Sequence, residues 1–147
     1  MKEELTAKDF ILLLLNSNDR KPIKGKLIFQ KEMFLIVEEI YSKIKEELNF
    51  IPYTYGPYSK NLVKLVNELK QDSLIKYNNI DREEYSITER GIDYISKINF
   101  PDFIVEKVNN LKIGSDRLGY DGVLRYVYFH YPEYTINSKI KKYVLGD

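Results

Sequence analysis

The sequence contains no cysteine and no tryptophan, and it has a single histidine, His130, among 147 residues. Without cysteine the chain forms neither disulfides nor thiolate-based zinc or iron–sulfur sites, and it has no thiol nucleophile. His130 lies between Phe129 and Tyr131, with no second histidine at metal-binding spacing. We therefore predict a packing or surface role for it, rather than zinc binding or general-base catalysis.

Long apolar runs are also missing. The stretch from Phe10 to Leu15 is far too short to span a bilayer, and the N-terminus carries Glu3 and Glu4 where a signal peptide has basic residues. The sequence has no phosphate-binding loop, nucleophile motif or metal-ligand cluster. We expect a cytoplasmic protein that is not an enzyme, needs no cofactor or metal and does not enter membranes.

The residues that are present indicate an ordinary globular protein. Hydrophobic residues make up 44% and charged residues 31% of the chain, and 13 tyrosines and 7 phenylalanines can supply an aromatic core. The formal net charge is +1, which argues neither for nor against nucleic-acid binding. What matters is therefore where the charges are placed.

Hydrophobic periodicity and turn residues predict a mainly α fold with a small β-hairpin (α+β). The first predicted helix is capped by Thr6 and ends at residues 16–19, and a connector with a short extended piece follows at 21–26. Next come a long helix at 27–48, an extended segment at 49–56, a helix at 57–71 and a hairpin with strands at 75–77 and 85–87. The remaining predicted elements are helices at 89–98, 102–112 and 121–130, the last two separated by a glycine-containing loop, and a basic helix at 138–144. We expect a domain at 1–99 and a helical extension at 100–147.

This order of elements is typical of winged helix-turn-helix proteins, here with additional C-terminal helices. The segments LKQDSLI at 69–75 and YSITERG at 85–91 resemble the motif "L-x-x-x-x-L-I … Y-x-I/L-T-x-x-G" that recurs in winged-helix regulators. In this motif the hairpin is the wing and the helix before it is the recognition helix. Thr88 would cap the next helix, and Gly91 would permit close packing.

Other segments resemble a narrower prokaryotic group. LIFQKEMFL at 27–35 and FIPYTYGPYS at 50–59 are similar to a helix and a turn of the YwgA-like winged-helix proteins and of the related antitoxin-like Panacea domain. LRYVYFHYPEYT at 124–135 is similar to a C-terminal stretch of the YwgA-like proteins. The resemblance implies a DNA-binding transcriptional regulator or, alternatively, an antitoxin-like module that binds another protein.

Polar residues on the expected recognition helix are the first candidates for DNA contact, because asparagine can bind adenine and lysine can reach guanine or phosphate. Ser59, at the start of that helix, would either donate to a phosphate or simply cap the helix. An exposed polar face that contacts only solvent is the alternative for the whole set. The candidates on this helix are Ser59, Lys60, Asn61, Lys64 and Asn67.

Further candidates lie in the connector and in the wing. No acid occurs between Asp19 and Glu32, a stretch that contains five basic residues, namely Arg20, Lys21, Lys24, Lys26 and Lys31. Lys24 and Lys26 are the candidates for phosphate contact there, with a solubilising loop as the alternative. In the wing, the candidates Lys76, Asn79 and Arg82 have acidic neighbours that would repel phosphates, namely Asp81, Glu83 and Glu84.

The expected partner is double-stranded DNA, bound by a homodimer, because two half-sites double the contacts. The C-terminal helices are rich in aromatic residues, which either form the dimer interface or fold back on their own domain. These residues are Tyr126, Tyr128, Phe129, Tyr131 and Tyr134.

Overall fold

The computed structural model describes residues 4–79 and 83–146. Its first helix, α1 (Ala7–Arg20), begins at a capping box, in which the Asp9 amide donates to Thr6 Oγ1 and the Thr6 amide donates to Asp9 Oδ2. Non-helical backbone at Ser17, Asn18 and Asp19 interrupts the helix where an end was predicted. The apolar positions of α1 are buried at the centre of the main hydrophobic cluster.

The predicted long helix at 27–48 is wrong. After the short strand β1 (Ile23–Lys24), α2 (Lys26–Glu39) ends early, and a 3₁₀ turn at Ser42–Ile44 leads into α3 (Lys45–Leu48). Tyr41 has extended backbone and stacks on Phe10 of α1 at a ring-centroid distance of 4.8 Å. This turn lets Ile44 and Leu48 join the main cluster, although their helical spacing alone favoured an unbroken helix.

The segment predicted as extended, 49–56, contains the first strand of a hairpin, β2 (Ile51–Tyr53). The second strand, β3 (Gly56–Tyr58), was not predicted and pairs with β2. The next helix, α4 (Lys60–Gln71), therefore begins three residues later than predicted, with Ser59 as its N-cap. Pro57 lies in β3 opposite Pro52 rather than in the first turn of the helix. Proline suits the first turn of a helix and also an edge strand, and the sequence did not separate the two.

The hairpin predicted from the sequence is confirmed as β4 (Ile75–Asn78) and β5 (Glu84–Ile87), with Tyr77 opposite Tyr85. Strand β1 pairs with the other edge of β5 and forms an antiparallel sheet of order β1-β5-β4. Thr88 caps α5 (Glu89–Ser96) as predicted. The close packing expected at Gly91 is also confirmed, because a Cβ there would overlap the carbonyl oxygen of Leu74.

The C-terminal part differs from the prediction in its loop. Helix α6 (Asp102–His130) runs through the expected glycine-containing loop, and non-helical backbone occurs within it at Gly119 (φ 73°, ψ 179°). Ile104 and Val108 of α6 belong to the main cluster, while Leu124 and Tyr128 form a second cluster with Phe34. The last helix, α7 (Lys141–Leu145), is shorter than predicted.

The structure thus confirms a mainly α fold with a small antiparallel sheet. The division near residue 100 stays a prediction. Across residues 4–79 and 83–146, every helix is too short or too polar to cross a bilayer.

Candidate nucleic-acid interface

Helix α4 is held in place by its apolar face and by the residue that caps it. Leu62, Val66 and Leu69 are buried. Ser59 is fully buried, and its hydroxyl donates to the Leu48 carbonyl while accepting from the Leu62 amide at 2.9 Å. The main chain of Ser59 makes two bonds with the Gln30 side chain, at 2.8 and 2.9 Å. Ser59 is therefore a structural cap. Its hydroxyl is buried and hydrogen-bonded within the protein, so it does not contact a phosphate, and that suggestion from the sequence is wrong.

The remaining candidates on α4 are all exposed. Lys60, Lys64 and Asn67 follow one another at helical spacing and so share one face of the helix. Asn61 lies beside them, with its side-chain amide donating to the Glu47 carbonyl at 2.9 Å. This bond engages one amide hydrogen, and the residue is exposed, so its other amide hydrogen and its side-chain oxygen can take further partners.

An apolar residue, Val63, lies within this polar face and was not predicted. Its side chain is 42% exposed, between Lys60 and Asn67 along the helix. The sequence offered a signal, since Val63 is off the stripe that Leu62, Val66 and Leu69 form. A small apolar side chain among lysines and asparagines can contact the methyl group of thymine.

The candidates in the connector and the hairpin lie on the outer face of the sheet. Lys24 of β1 pairs with Glu84 of β5, and Lys76 of β4 pairs with Ser86, so both lysines project from the face opposite the buried Tyr85. Glu84 lies between these two strands and partly offsets their charge. Lys76 and Asn79 are exposed, and Arg82 lies outside the described residues.

The start of α2 carries Lys26, whose side chain is exposed and whose amide donates to Glu83 Oε1 at 3.3 Å. The structure thus places the candidates in two groups, one on α4 and one along the sheet and the start of α2. Between α4 and the sheet, Lys70 near the end of the helix lies 4.7 Å from the ring centre of Tyr77, which is on the sheet face opposite Lys24 and Lys76.

Lys31 does not belong to the basic surface that the sequence suggested. It is buried, its Nζ donates to the Pro57 carbonyl at 3.3 Å, and burial lowers its pKa to about 8. A buried lysine of this kind anchors the β2–β3 hairpin to α2 and cannot meet a phosphate.

A cluster of buried polar residues between α2 and α6 was not predicted from the sequence. Lys112 is fully buried and its Nζ donates to the carbonyls of Leu15, Ser17 and Lys21 at 3.3, 2.9 and 2.6 Å. Burial lowers its pKa to about 8, an effect that the nearby carboxylate of Glu32 opposes. Lys112 thus caps the end of the regular part of α1.

Glu32 is the acidic member of this cluster. Burial raises the pKa of Glu32 to about 8, and the neighbouring Ser115 hydroxyl opposes the rise. Yet neither Glu32 Oε1 nor Ser115 Oγ has a hydrogen-bond partner of acceptable geometry among the described residues. The burial of Glu32 was not predicted, because its spacing is that of a surface residue, whereas α2 is buried on every side over residues 29–37.

The aromatic C-terminal residues mostly fold back on the chain. The hydroxyls of Tyr126 and Tyr131 both donate to Glu39 Oε2, at 2.8 and 2.6 Å. Tyr128 is buried with its hydroxyl 2.7 Å from Ser138 Oγ, and Tyr134 packs edge-on against Phe34.

Phe129 and His130 remain exposed at the end of α6. The His130 ring lies 4.3 Å from that of Tyr126 and 5.1 Å from that of Phe129, measured between centroids. Such a surface position is the role predicted for this histidine. Within residues 4–79 and 83–146, no three His, Asp or Glu side chains are grouped so that they could hold a metal ion.

The chain has a partial similarity to a known protein. No protein-family model matches the chain. A segment of 89 residues, 60% of the chain, is 29% identical to the phenylalanine–tRNA ligase alpha subunit of Methanococcus maripaludis. The segment corresponds to only 16% of that subunit. The chain is therefore similar to a small part of a much longer protein.

Proposed function

We propose that this protein is a winged-helix DNA-binding protein that acts as a transcriptional regulator. In this proposal α4 is the recognition helix and the β4–β5 hairpin is the wing. The observation that carries it is the exposed face of α4, where Lys60, Lys64 and Asn67 project from a helix whose other face and N-cap are buried. A rigidly seated helix with such side chains suits the major groove.

The proposed roles follow from side-chain chemistry. Asn67 and the free side-chain oxygen of Asn61 would meet base edges, Val63 would contact a thymine methyl group, and Lys60 and Lys64 would meet phosphate or guanine. On the sheet, Lys24 and Lys76 would add phosphate contacts, which Glu84 weakens.

Dimerisation and location are part of the same proposal. We propose a cytoplasmic homodimer, in which exposed apolar side chains near the C-terminus, including Phe129 at 72% exposure, contact the second copy. We propose no enzymatic activity. Similarity to 16% of a tRNA ligase subunit transfers neither that protein's reaction nor its substrates to this chain.

The direct test is binding of random-sequence duplex DNA, followed by fluorescence anisotropy from about 0.05 to about 0.2 M salt. A surface that contacts several phosphates should lose at least tenfold in affinity over this range, because counterions released from DNA drive the association. Absence of binding even at the lowest salt concentration would contradict the proposal.

A second candidate function is an antitoxin-like module that binds another protein. The net charge of +1 and the acidic pair Glu83 and Glu84 beside the wing favour it. So does the resemblance of residues 50–59 to the Panacea domain. A pull-down from native extract that returned one stoichiometric protein, together with no salt-sensitive binding of DNA, would favour this function over the first.

A further inference from the structure

A cavity of about 450 Å³ lies where β1, the start of α2 and the break in α6 meet. Its walls are apolar on several sides, formed by Pro22, Ile23, Ile28 and the ring of Tyr120. Gly119, whose backbone breaks α6, also lines it. Sites for small organic molecules typically have volumes of roughly 300–1,000 Å³ and mainly apolar walls with a few polar groups.

The polar groups of this cavity include the two atoms that have no partner within the described residues. Glu32 and Ser115 both line the cavity, with exposures of 1% and 5%. Glu32 Oε1 and Ser115 Oγ have no hydrogen-bond partner of acceptable geometry among the described residues, although the Ser115 hydroxyl is near enough to Glu32 to oppose the rise of its pKa. A buried polar atom without a hydrogen-bond partner destabilises the protein, because it has lost its bonds to water and gained none in exchange. A ligand in the cavity that carries hydrogen-bond donors would supply the missing partners for this carboxyl and this hydroxyl.

The charges around Glu32 favour a positively charged ligand. The ammonium of Lys112 is close enough to influence Glu32, but its three hydrogens are all donated to main-chain carbonyls. Asp116, also at the cavity, adds negative charge, and its Oδ2 accepts from the Asn18 side chain at 2.6 Å. Lys21 and Lys24 are exposed at the rim, where solvent and salt screen their charges.

We propose that this cavity binds a small organic cation whose amidinium or guanidinium group pairs with the Glu32 carboxylate, with its apolar body between Ile28 and Tyr120. The planar fork of such a cation matches the two carboxylate oxygens, as in arginine–carboxylate pairs. The ligand donates to the Glu32 carboxylate, which the nearby Lys112 ammonium does not do because its hydrogens are donated to main-chain carbonyls. The site is independent of α4, so this inference does not rest on DNA binding.

Proton release follows from this pairing. Glu32 without ligand is mostly protonated near pH 7, because burial raises its pKa to about 8. A cation that pairs with the carboxylate must displace that proton. Affinity should therefore increase about tenfold per pH unit up to about pH 8 and then level off, while the cation itself stays charged.

The probes are benzamidine, benzamide and benzoate, which share one ring and differ in charge. Calorimetric titration of the full chain with each should show that benzamidine binds, that benzamide binds at least tenfold more weakly and that benzoate gives no binding. Titrating benzamidine in buffers of different ionisation heat should show release of close to one proton per site near pH 7.

Two variants localise the binding. Glu32→Gln should lower the affinity for benzamidine at least tenfold and abolish its pH dependence. Glu106→Gln, which removes an exposed carboxylate from the same helix as Ser115, should leave both unchanged. Equal binding by Glu32→Gln, equal or tighter binding of benzamide or benzoate, or no binding of benzamidine at millimolar concentration would overturn the proposal. If Glu32→Gln does not fold, binding to the unaltered chain without proton release overturns it.

Discussion

Ser59 is hydrogen-bonded to three helices, α2, α3 and α4. It caps α4, its hydroxyl donates to the last residue of α3, and its main chain is bound by Gln30 of α2. The orientation of the proposed recognition helix relative to α2 therefore depends on a serine that DNA cannot reach.

Replacing Ser59 with alanine should destabilise the protein by about 2–3 kcal/mol, because the helix loses its cap and the Leu48 carbonyl loses a buried donor. Urea denaturation measures this change. Ser96→Ala is the matched control, since the Ser96 hydroxyl makes one exposed bond to Asp93 and its loss should cost less than about 0.5 kcal/mol. Equal stability of the two variants would contradict the role assigned to Ser59.

Glu32 makes the stability of the protein depend on pH. Its pKa is about 8 in the folded state and near 4.5 in the unfolded chain, so between these values the folded protein keeps a proton that the unfolded chain has lost. Stability from this group is present below about pH 4.5 and falls as pH increases towards 8, with a slope of up to about 1.4 kcal/mol per pH unit.

Glu32→Gln removes this dependence. The variant should therefore gain stability relative to the unaltered protein as pH increases from about 5 to about 8, in urea denaturation at several pH values. The pKa of Lys31 is set by burial alone, so its titration cancels in the comparison. Burial lowers the pKa of Lys112 and the Glu32 carboxylate raises it, a contribution that is present only where Glu32 is ionised, towards pH 8 and above. Parallel stability–pH curves for the two proteins would show that the pKa of Glu32 is not raised.

At the residue scale, the sequence predicts positions that obey local rules. Thr6 and Thr88 were identified as caps from their place before helical periodicity, and Gly91 from its place in the wing motif. Lys31 and Glu32 were not identified as buried, since their burial depends on the β2–β3 hairpin and α6 covering α2 from two sides. Such long-range packing leaves no trace in residue spacing.

At the scale of elements, the break in α6 depends on one glycine. Gly119 has a backbone conformation (φ 73°, ψ 179°) that residues with a Cβ rarely adopt, and space around it is open. Gly114, on the same helix, has ordinary helical backbone and also has open space around it.

Alanine at these two glycines should have opposite effects. Gly119→Ala should destabilise the protein by about 1–3 kcal/mol through backbone strain. Gly114→Ala should stabilise it by about 0.5–1 kcal/mol, because alanine is the better helix former. Thermal denaturation of the pair measures both. If Gly119→Ala, like Gly114→Ala, is no less stable than the unaltered protein, then α6 does not require the break at Gly119.

The boundaries that the sequence misplaced have a common cause. The apolar stripe of 27–48 continues in helical register past Glu39, although the chain turns there so that Tyr41 stacks on Phe10. Similarly, the glycines between 112 and 121 suggested a loop, yet Ser115 is buried within α6. Periodicity specifies which residues face the core, whereas tertiary contacts decide where a helix stops.

At the scale of the whole molecule, near-neutral net charge conceals an uneven distribution. Helix α4 carries Lys60, Lys64 and Lys70 against a single acid, Glu68, which is paired with Lys8 at 2.8 Å. The rest of the chain supplies compensating acids. Composition could therefore not predict the candidate interface, and only the placement of charges on α4 does so.

The salt dependence of DNA binding tests the proposed contact between α4 and DNA. Lys60→Ala with Lys64→Ala should weaken binding of random duplex DNA and reduce the slope of log affinity against log salt by about 2, with thermal stability unchanged. Lys97→Ala with Lys107→Ala is the control, because it removes the same charge from exposed positions, one at the C-cap of α5 and one on α6. We expect a reduced slope for the first pair and an unaltered slope for the second. Equal slopes for both pairs would contradict the assignment of α4 as the surface that contacts DNA.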